Sequence, residues 1–415
     1  MALLPPRALD GVRVLDLSRI LAGPTATQML GDLGADVIKV ERPGSGDDTR
    51  GWGPPFVKTE AGEDSDLSAY FLCANRNKRS IAIDLATPAG ADLIKRLAAK
   101  ADIIIENYKP GDLDRRGLGY EALRHVKPDL IWCSISGFGQ TGPYADRMGY
   151  DFLVQAMGGI MSVTGQPDAK GGEPTKVGVA IADVVCGLYA AIGLLAALRH
   201  RERTGEGQAI DLSLYDTQLS WLINVATNHL VSGKEPQRLG NRHPNIAPYQ
   251  TVRVADGFIV VAVGNDDQFR RFVTELGLPE LADDPRFRRN RDRIQAIDAL
   301  EALLLPALAQ DSVAGWTARL TACGVPAGPV ASVGQALSDP HTLAREMVVS
   351  VPGPAGVGPL KLLGNPLKLS ATPITYDQPP PRLDAHRGAI LQDWLDLPEA
   401  EQAAIAAAGA FGPGA

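Results

Sequence analysis

The first half of the chain alternates short aliphatic and β-branched runs with segments of helical periodicity. Strand-like runs occupy residues 12–17 and 36–40, and a helix-like segment at 24–33 lies between them. This order predicts a βαβ unit, in which a crossover helix allows two strands to pair in parallel. Of all features in the sequence, this βαβ order excludes the largest number of alternative folds.

The same alternation continues further along the chain. Strand-like runs follow at 80–85, 102–106 and 130–134, and a helical pattern occupies 88–101. Such an order is typical of a mostly parallel sheet covered by helices. We therefore predict an α/β fold whose large domain is Rossmann-like.

At 415 residues the chain exceeds the size at which a single hydrophobic core stops growing, which favours two domains. After Trp221 the pattern changes to a loop, a strand-like run and Arg-rich amphipathic helices up to residue 320. A Pro- and Gly-rich stretch at 352–381 lacks periodicity and predicts an extended arm. The predicted domains are a large one at 1–222, completed by an arm and helices at 336–415, and a small α/β one at 223–335.

The segment 177–198 is nearly free of charge and about as long as the ~20 residues that span a bilayer. It carries Asp183 and three glycines, and helical spacing of apolar residues continues to residue 203. We interpret it as a buried helix of a large core and expect no membrane partner.

The charge balance gives no reason to expect nucleic acid as a partner, because the net charge is -7. The start of the sequence lacks the apolar stretch of a signal peptide, so we expect a cytoplasmic protein. Its four cysteines include no closely spaced pair, which favours buried thiols in a reducing compartment.

Several kinds of site are disfavoured by their missing motifs. Glu41 ends the second predicted strand, where a ribose-binding acid would stand, but no GxGxxG lies between the strands. The chain has no Walker loop, no GxSxG elbow and no histidine pair at metal-ligand spacing on one helix. We predict no metal and no tightly bound cofactor.

Asp183 is an unusual acid, since it precedes an apolar helix and has no basic neighbour in the sequence. It could be an N-cap, a position that Asp favours, or a nucleophile. The two interpretations are compatible, because a cap-like site would keep the carboxylate ionised. Two other candidates are a ligand-binding loop or plain turn at 106–115, and Arg42 as a phosphate clamp or solvated charge.

Ten segments together resemble the class III CoA-transferases, which include formyl-CoA transferase, carnitine CoA-transferase and the alpha-methylacyl-CoA racemases. They span essentially the whole chain, and their order and spacing are more specific than any one of them. The segments are LDGVRVLDL at 9–17, AGP at 22–24, LGADVIKVE at 33–41, NRNKRS at 75–80, ENYKPGDLDR at 106–115, GYD at 149–151, TGEGQ at 204–208, DDPRF at 283–287, GVPAGPV at 324–330 and GNPLKLS at 364–370.

The resemblance implies that Asp183 is the catalytic nucleophile, and it favours that role over a cap alone. An acyl-CoA and a small carboxylic acid would be the substrates, and acylation of the aspartate would preserve the free energy of the thioester. The family also implies an interlocked, ring-like homodimer. By the same resemblance, the CoA-binding residues are Leu21, Ala22, Arg42, Leu85, Asn107, Tyr108, Lys109 and Arg115.

Two departures from the family pattern bear on the substrate. Tyr150 stands where the racemases have a catalytic histidine, which makes a racemase or isomerase the weaker alternative. Leu21 replaces a glutamine of formyl-CoA transferase, which disfavours oxalate and formate.

Segments 245–249 and 263–269 resemble members that use succinyl-CoA with dicarboxylic or branched acids, so we expect a dicarboxylate. Tyr150, Arg147 and Arg242 are the candidate substrate-binding residues, and a catalytically silent CoA-binding protein is the second alternative.

Overall fold

A computed structural model of the protein describes residues 7–412. The described chain divides into two compact units. The first comprises 7–158, 178–221 and 340–412, and the second comprises 159–177 and 222–339. Segment 159–177, which the sequence analysis placed in the large domain, belongs to the second unit.

The first unit is built on a six-stranded sheet in which every strand is parallel to its neighbours. Its spatial order is β3-β2-β1-β4-β5-β6, which is the strand order of Rossmann folds. The predicted α/β fold with a largely parallel sheet is therefore confirmed. The strands are β1 (Arg13–Asp16), β2 (Asp36–Glu41), β3 (Lys78–Ala82), β4 (Ile103–Glu106), β5 (Ile131–Ser136) and β6 (Ala209–Ser213).

Both faces of the sheet are buried, as parallel sheets require. On one face Leu15 and Ile104 pack with Leu93 and Trp394. On the other face Val14 and neighbouring strand residues pack with the helices that follow β1 and precede β6. The alternation of side chains along each strand thus supplies two separate cores.

The helices of the first unit cover these faces. We label three that shape the site: α1 (Ala22–Asp32), α2 (Asp151–Met157) and α3 (Ile181–Thr204). The others are Ala69–Leu72, Pro88–Ala98, Asp112–Arg115, Tyr120–Val126, Leu214–Ser220, Pro340–Ala344, Arg387–Leu395 and Glu399–Ala407, with a 3₁₀ turn at Asp48–Gly51.

Helix α3 packs closely against α1. A Cβ on Gly187 would lie 2.7 Å from the carbonyl oxygen of Ala22, so only glycine permits this approach. By length and hydropathy alone, α3 could cross a membrane, but the core helices of soluble proteins meet the same two criteria. Half of the most apolar 18-residue window of α3 is buried inside the structure. The prediction of a buried helix is correct for the face that meets α1 and wrong for the opposite face, where Ile192 is 63% exposed.

The edge of the sheet at β3 is covered by the C-terminal part of the chain. The backbone N–H of Ala82 donates to the carboxylate of Asp384 at 2.9 Å, and the N–H of His386 donates to the carbonyl of Ser80 at 3.1 Å. These bonds satisfy edge groups that would otherwise face solvent. Residues near the C-terminus therefore complete the first unit.

Two hairpins of the first unit were not predicted. One joins Phe56–Lys58 to Asp64–Ser68, and the other joins Val348–Val351 to Leu360–Leu363. The second lies partly in the segment expected to be an irregular arm, so that expectation was wrong for part of it. The thiols also differ from expectation, since Cys73 is exposed whereas Cys133 and Cys186 are buried.

The second unit has its own core, formed where helices pack on a three-stranded antiparallel sheet. Its strands are Tyr249–Arg253, Phe258–Ala262 and Ala327–Pro329, with Phe258–Ala262 in the middle. Its helices are Ile160–Val163, Ile223–Ser232, Asp266–Glu275, Asn290–Gln295, Ile297–Leu308, Val313–Ala322 and Val333–Ser338, with 3₁₀ turns at Asp168–Lys170 and Pro279–Ala282.

Candidate active site

A cavity of about 240 Å³ lies at the carboxyl ends of β1, β4 and β5. Strand order reverses between β1 and β4, and ligands of open α/β sheets bind at such a switch point. We call it the Asp183 cavity. Eight of the residues predicted from the sequence line it: Leu21, Ala22, Asn107, Tyr108, Lys109, Arg147, Tyr150 and Asp183.

Asp183 occupies the first turn of α3 and is not its N-cap. Ala180 holds the cap position, and its side chain makes no capping hydrogen bond. The carboxylate of Asp151 instead accepts a hydrogen bond from the backbone N–H of Ala182 at 2.7 Å and a longer one from that of Asp183 at 3.4 Å. The cap interpretation of Asp183 was therefore wrong, because a residue from another helix fills that role and leaves the Asp183 side chain on the cavity wall.

The environment of Asp183 makes its carboxyl a weaker acid than that of an exposed aspartic acid. Burial, together with the nearby charge of Asp151, raises the pKa of the Asp183 carboxyl to about 7. The expectation that this site would keep the carboxylate ionised was also wrong, because burial and the charge of Asp151 both favour the protonated form. Burial and then the charge of Asp183 raise the pKa of Tyr70 to about 12, which shows that the phenol lies within electrostatic reach of the acid.

Asn107 joins two loops of the cavity wall. Its side-chain amide donates to the carbonyl of Arg19 at 2.8 Å, and its side-chain oxygen accepts from the N–H of Arg19 at 2.9 Å. Glu106 also holds this loop, because its carboxylate accepts a hydrogen bond from the backbone N–H of Tyr108 at 2.8 Å. Burial raises the pKa of the Glu106 carboxyl to about 7. The loops that follow β1 and β4 are thus fixed relative to each other.

A second cavity, of about 260 Å³, shares Arg19 and Tyr108 with the first. Arg42, Leu85 and Arg116 also line it, and we call it the Arg42 cavity. The Arg42 side chain is more than half exposed and lies 4.0 Å from Asp48, a weak contact that leaves the guanidinium accessible. The wall of this cavity carries basic and apolar side chains together with three acids, Glu41, Asp47 and Asp84.

Glu41, at the end of β2, is unavailable to a ribose. Its carboxylate accepts hydrogen bonds from Arg50 at 2.7 Å and from the Ser80 hydroxyl at 2.6 Å, and the side chain is buried. The acid therefore anchors the loop that follows β2. This arrangement agrees with the absence of a dinucleotide fingerprint in the sequence.

Two of the predicted arginines, Arg147 and Arg115, have different surroundings. Arg147 lines the Asp183 cavity, and its guanidinium lies 3.8 Å from the ring centroid of Tyr144. Arg115 lines neither cavity and pairs with Asp112, whereas its neighbour Arg116 lines the Arg42 cavity.

Arg242 lies in the second unit and is paired with acids there. Its guanidinium bonds to Asp298 at 2.7 Å and to Glu301 through Nε at 2.7 Å. These two carboxylates already neutralise the guanidinium and occupy the N–H groups that would bind a substrate carboxylate.

Sequence reasoning missed three residues that shape these cavities: Arg19, Arg116 and Asp151. A signal for Asp151 was available, because it directly follows Tyr150 in a segment already singled out. Arg19 lies three residues after the end of β1, in the loop at the carboxyl edge of the sheet where ligands of α/β proteins often bind. Nothing local distinguishes Arg116 from Arg115.

Comparison with known proteins gives consistent results. A sequence model described as CoA-transferase family III matches residues 9–387. The chain is 48% identical to the succinate–glutarate CoA-transferase of Agrobacterium fabrum, over 94% of this chain and 96% of that protein. It is 42% identical to the succinyl-CoA:glutarate CoA-transferase of Homo sapiens, over 94% of this chain and 86% of that protein.

A solved structure is also similar over nearly the full length. The crystal structure of a CAIB/BAIF family protein from Brucella suis superimposes with a TM-score of 0.82 at 49% identity. The match covers 94% of this chain and 99% of that one.

Proposed function

Because the chain belongs to CoA-transferase family III, we propose that it transfers CoA from succinyl-CoA to a small dicarboxylic acid, with Asp183 as the nucleophile. The observation that carries the proposal is the placement of Asp183 on a cavity at the switch point of the sheet. The substrates named for the Agrobacterium and human relatives, succinate or succinyl-CoA and glutarate, support the choice of donor and acceptor.

In the proposed mechanism the Asp183 carboxylate attacks the thioester carbonyl, the C–S bond breaks, and CoA leaves as a thiolate. The product is a mixed anhydride of Asp183 and succinate. The thiolate then attacks the aspartyl carbonyl, which releases succinate and gives an aspartyl-CoA thioester. The acceptor carboxylate repeats the two steps in reverse, so the thioester bond is never lost to water.

The two cavities fit the parts of a CoA thioester. The Arg42 cavity offers Arg42 and Arg116 to phosphate groups and Leu85 to an apolar face of the adenine. The loop from Asn107 to Lys109 links that cavity to Asp183, and it would guide the pantetheine arm between them. We retain Leu21 and Ala22 as CoA contacts, since the positive end of the α1 dipole lies there.

Arg147 is the better candidate for the distal carboxylate of a dicarboxylic acid. It shares the cavity with Asp183, whereas Arg242 is held by two acids. Replacing Arg147 with Gln should raise the KM for glutarate about tenfold or more, because a charge-assisted hydrogen bond is worth about 1.5–3 kcal/mol. Arg242→Gln is the matched control and should leave that KM nearly unchanged.

We further propose that the protein acts as an interlocked homodimer in the cytoplasm. Several apolar side chains of α2 and α3 are exposed in the single chain, among them Phe152, Leu188 and Ile192. A partner subunit would cover such a surface. Light scattering of the purified protein tests the dimer, and a monomer at micromolar concentration would contradict it.

The decisive experiment incubates the protein with succinyl-CoA and a panel of carboxylates that includes glutarate and oxalate, with new CoA esters identified by mass. When ¹⁸O-labelled acceptor is used, one labelled oxygen should appear on Asp183, because the acceptor carboxylate attacks the aspartyl carbonyl. Asp183→Ala should abolish transfer, and Asp211→Asn, a change to an exposed acid outside the Asp183 cavity, should not.

Two other outcomes would replace the proposal. Exchange of the α-proton in deuterated water without an acceptor would identify a racemase, which Tyr150 disfavours. CoA binding without ester formation or label on Asp183 would identify a catalytically silent protein.

A further inference from the structure

The long helix α3 begins without a capping side chain of its own. Three of its first four residues are Ile181, Ala182 and Val184, and Ala180 precedes them. A helix N-terminus leaves backbone N–H groups without partners inside the helix, and a side-chain oxygen usually accepts from one of them. Here Asp151, the first residue of α2, supplies that oxygen to the N–H of Ala182.

Asp151 is itself held in place. One carboxylate oxygen accepts from the two backbone N–H groups at the start of α3, and the other accepts from the side-chain amide of Gln155 at 2.7 Å. Gln155 is buried and lies one turn further along α2. The carboxylate of Asp151 is thus fixed next to Asp183 by contacts with both helices.

The charged and titratable groups around Asp183 come from several elements. Asp151 lies on α2, Tyr70 on Ala69–Leu72 and Cys186 one turn along α3. The other charged or titratable residues that line the cavity are Arg19, Tyr108, Lys109, Asp112, Arg147 and Tyr150. Where α1 meets α3, at Gly187, it presents Ala22 and Thr25, which do not titrate. Among residues 7–412, Asp151 is the one anionic group that raises the pKa of the Asp183 carboxyl.

A fixed negative charge beside the nucleophile affects its free and acylated forms differently. Two carboxylates close together repel each other in a poorly solvated site, which destabilises the ionised form of Asp183. When Asp183 attacks the thioester, its oxygen bonds to the acyl carbon and the negative charge leaves on the CoA sulfur. Asp183 is then neutral in the anhydride and in the thioester, so the repulsion by Asp151 is relieved.

We propose that Asp151 is a positioning residue that caps the helix carrying Asp183 and, through its charge, favours the acylated forms of Asp183 over the free carboxylate. This inference rests on the proposed function. It concerns a residue that does not bond to the substrate and acts through the nucleophile.

The test replaces Asp151 with Asn, which keeps an oxygen for the N–H of Ala182 but removes the charge. We expect the acid limb of kcat/KM against pH to move down by about one pH unit, since a nearby like charge shifts a carboxyl by an amount of this order. The fraction of protein carrying an Asp183 adduct at a fixed succinyl-CoA concentration should fall several-fold, as measured by intact mass.

Asp151→Ser is the second variant, because serine also caps a helix without charge and guards against a folding defect of the first. Both variants should move the acid limb alike. The matched control is Asp211→Asn, since the Asp211 carboxylate also accepts a backbone N–H, that of Gln140 at 3.0 Å, and faces another cavity. A purely structural role predicts lower stability with an unmoved acid limb, and that result would overturn the proposal.

Failure of this inference differs from failure of the proposed function. If the wild-type protein forms the Asp183 adduct and the Asp151 variants keep its pH midpoint and adduct fraction, only the role of Asp151 is refuted. If the wild-type protein forms no adduct and Asp183→Ala retains full transfer, the nucleophile assignment fails, and the role of Asp151 fails with it.

Discussion

Replacement of Asp183 with Asn should make the protein inactive but more stable at alkaline pH. The pKa of this carboxyl rises from 3.8 to about 7 in the folded chain. Between pH 4 and 7 the native state therefore binds a proton that the unfolded state has released, and stability falls as pH rises through this window. Asparagine resembles the protonated acid and avoids that loss.

The size of the effect follows from the shift of about 3 pKa units, at 1.36 kcal/mol for each unit. The Asn variant should exceed the wild type by about 4 kcal/mol at pH 8 and by about 2 kcal/mol at pH 5. Urea unfolding of both proteins at the two pH values measures this, through the midpoint and slope of each transition.

Asp211→Asn serves as the control, because it removes a charge from an exposed side chain. It should change stability little at either pH. An Asp183→Asn protein that is no more stable than the wild type at pH 8 would refute the argument that burial and Asp151 together make this acid costly to ionise.

Three further predictions concern activity and packing. With a pKa of about 7 on Asp183, kcat/KM should rise about tenfold from pH 6 to pH 8, and a flat profile would contradict an ionised nucleophile of that acidity. Asn107→Ala removes two hydrogen bonds to Arg19, each worth about 1 kcal/mol, so the KM for succinyl-CoA should rise about tenfold in initial-rate assays, with a smaller change in kcat. Gly187→Ala should lower the free energy of unfolding, measured in urea, by about 1–3 kcal/mol, because the new Cβ would clash with the carbonyl oxygen of Ala22. In the control Gly193→Ala, the new Cβ would lie no closer than 3.6 Å to another part of the chain, so the change should raise the free energy of unfolding by up to about 1 kcal/mol.

Local sequence patterns predicted most of the central sheet because its buried strands are short aliphatic runs with turn signals between them. β6 was missed, because Ala209–Ser213 has only five residues and its two aliphatic side chains, Ile210 and Leu212, are separated by Asp211, so it contains no continuous aliphatic run. The hairpin near residue 350 was missed for a related reason: a Pro- and Gly-rich context hides two short strands.

The candidate site was harder to predict wherever a residue's role depends on a partner distant in the sequence. Asp183 is of a residue type that often caps helices, but the oxygen that caps α3 comes from Asp151, which lies 32 residues earlier. Arg242 has the chemistry of a carboxylate binder, but Glu301 already occupies it. Such pairings are set by tertiary packing, and local patterns carry no information about them.

The C-terminal cover over β3 has a consequence for how the protein is made. Ala82 hydrogen-bonds to a residue 302 positions later, so the edge of the main sheet stays open until nearly the whole chain has been synthesised. N-terminal segments usually fold first on the ribosome, and an uncovered strand edge is prone to pair with other chains. Shortening the protein at its C-terminus should therefore lower the yield of soluble protein even though every residue of both cavities remains.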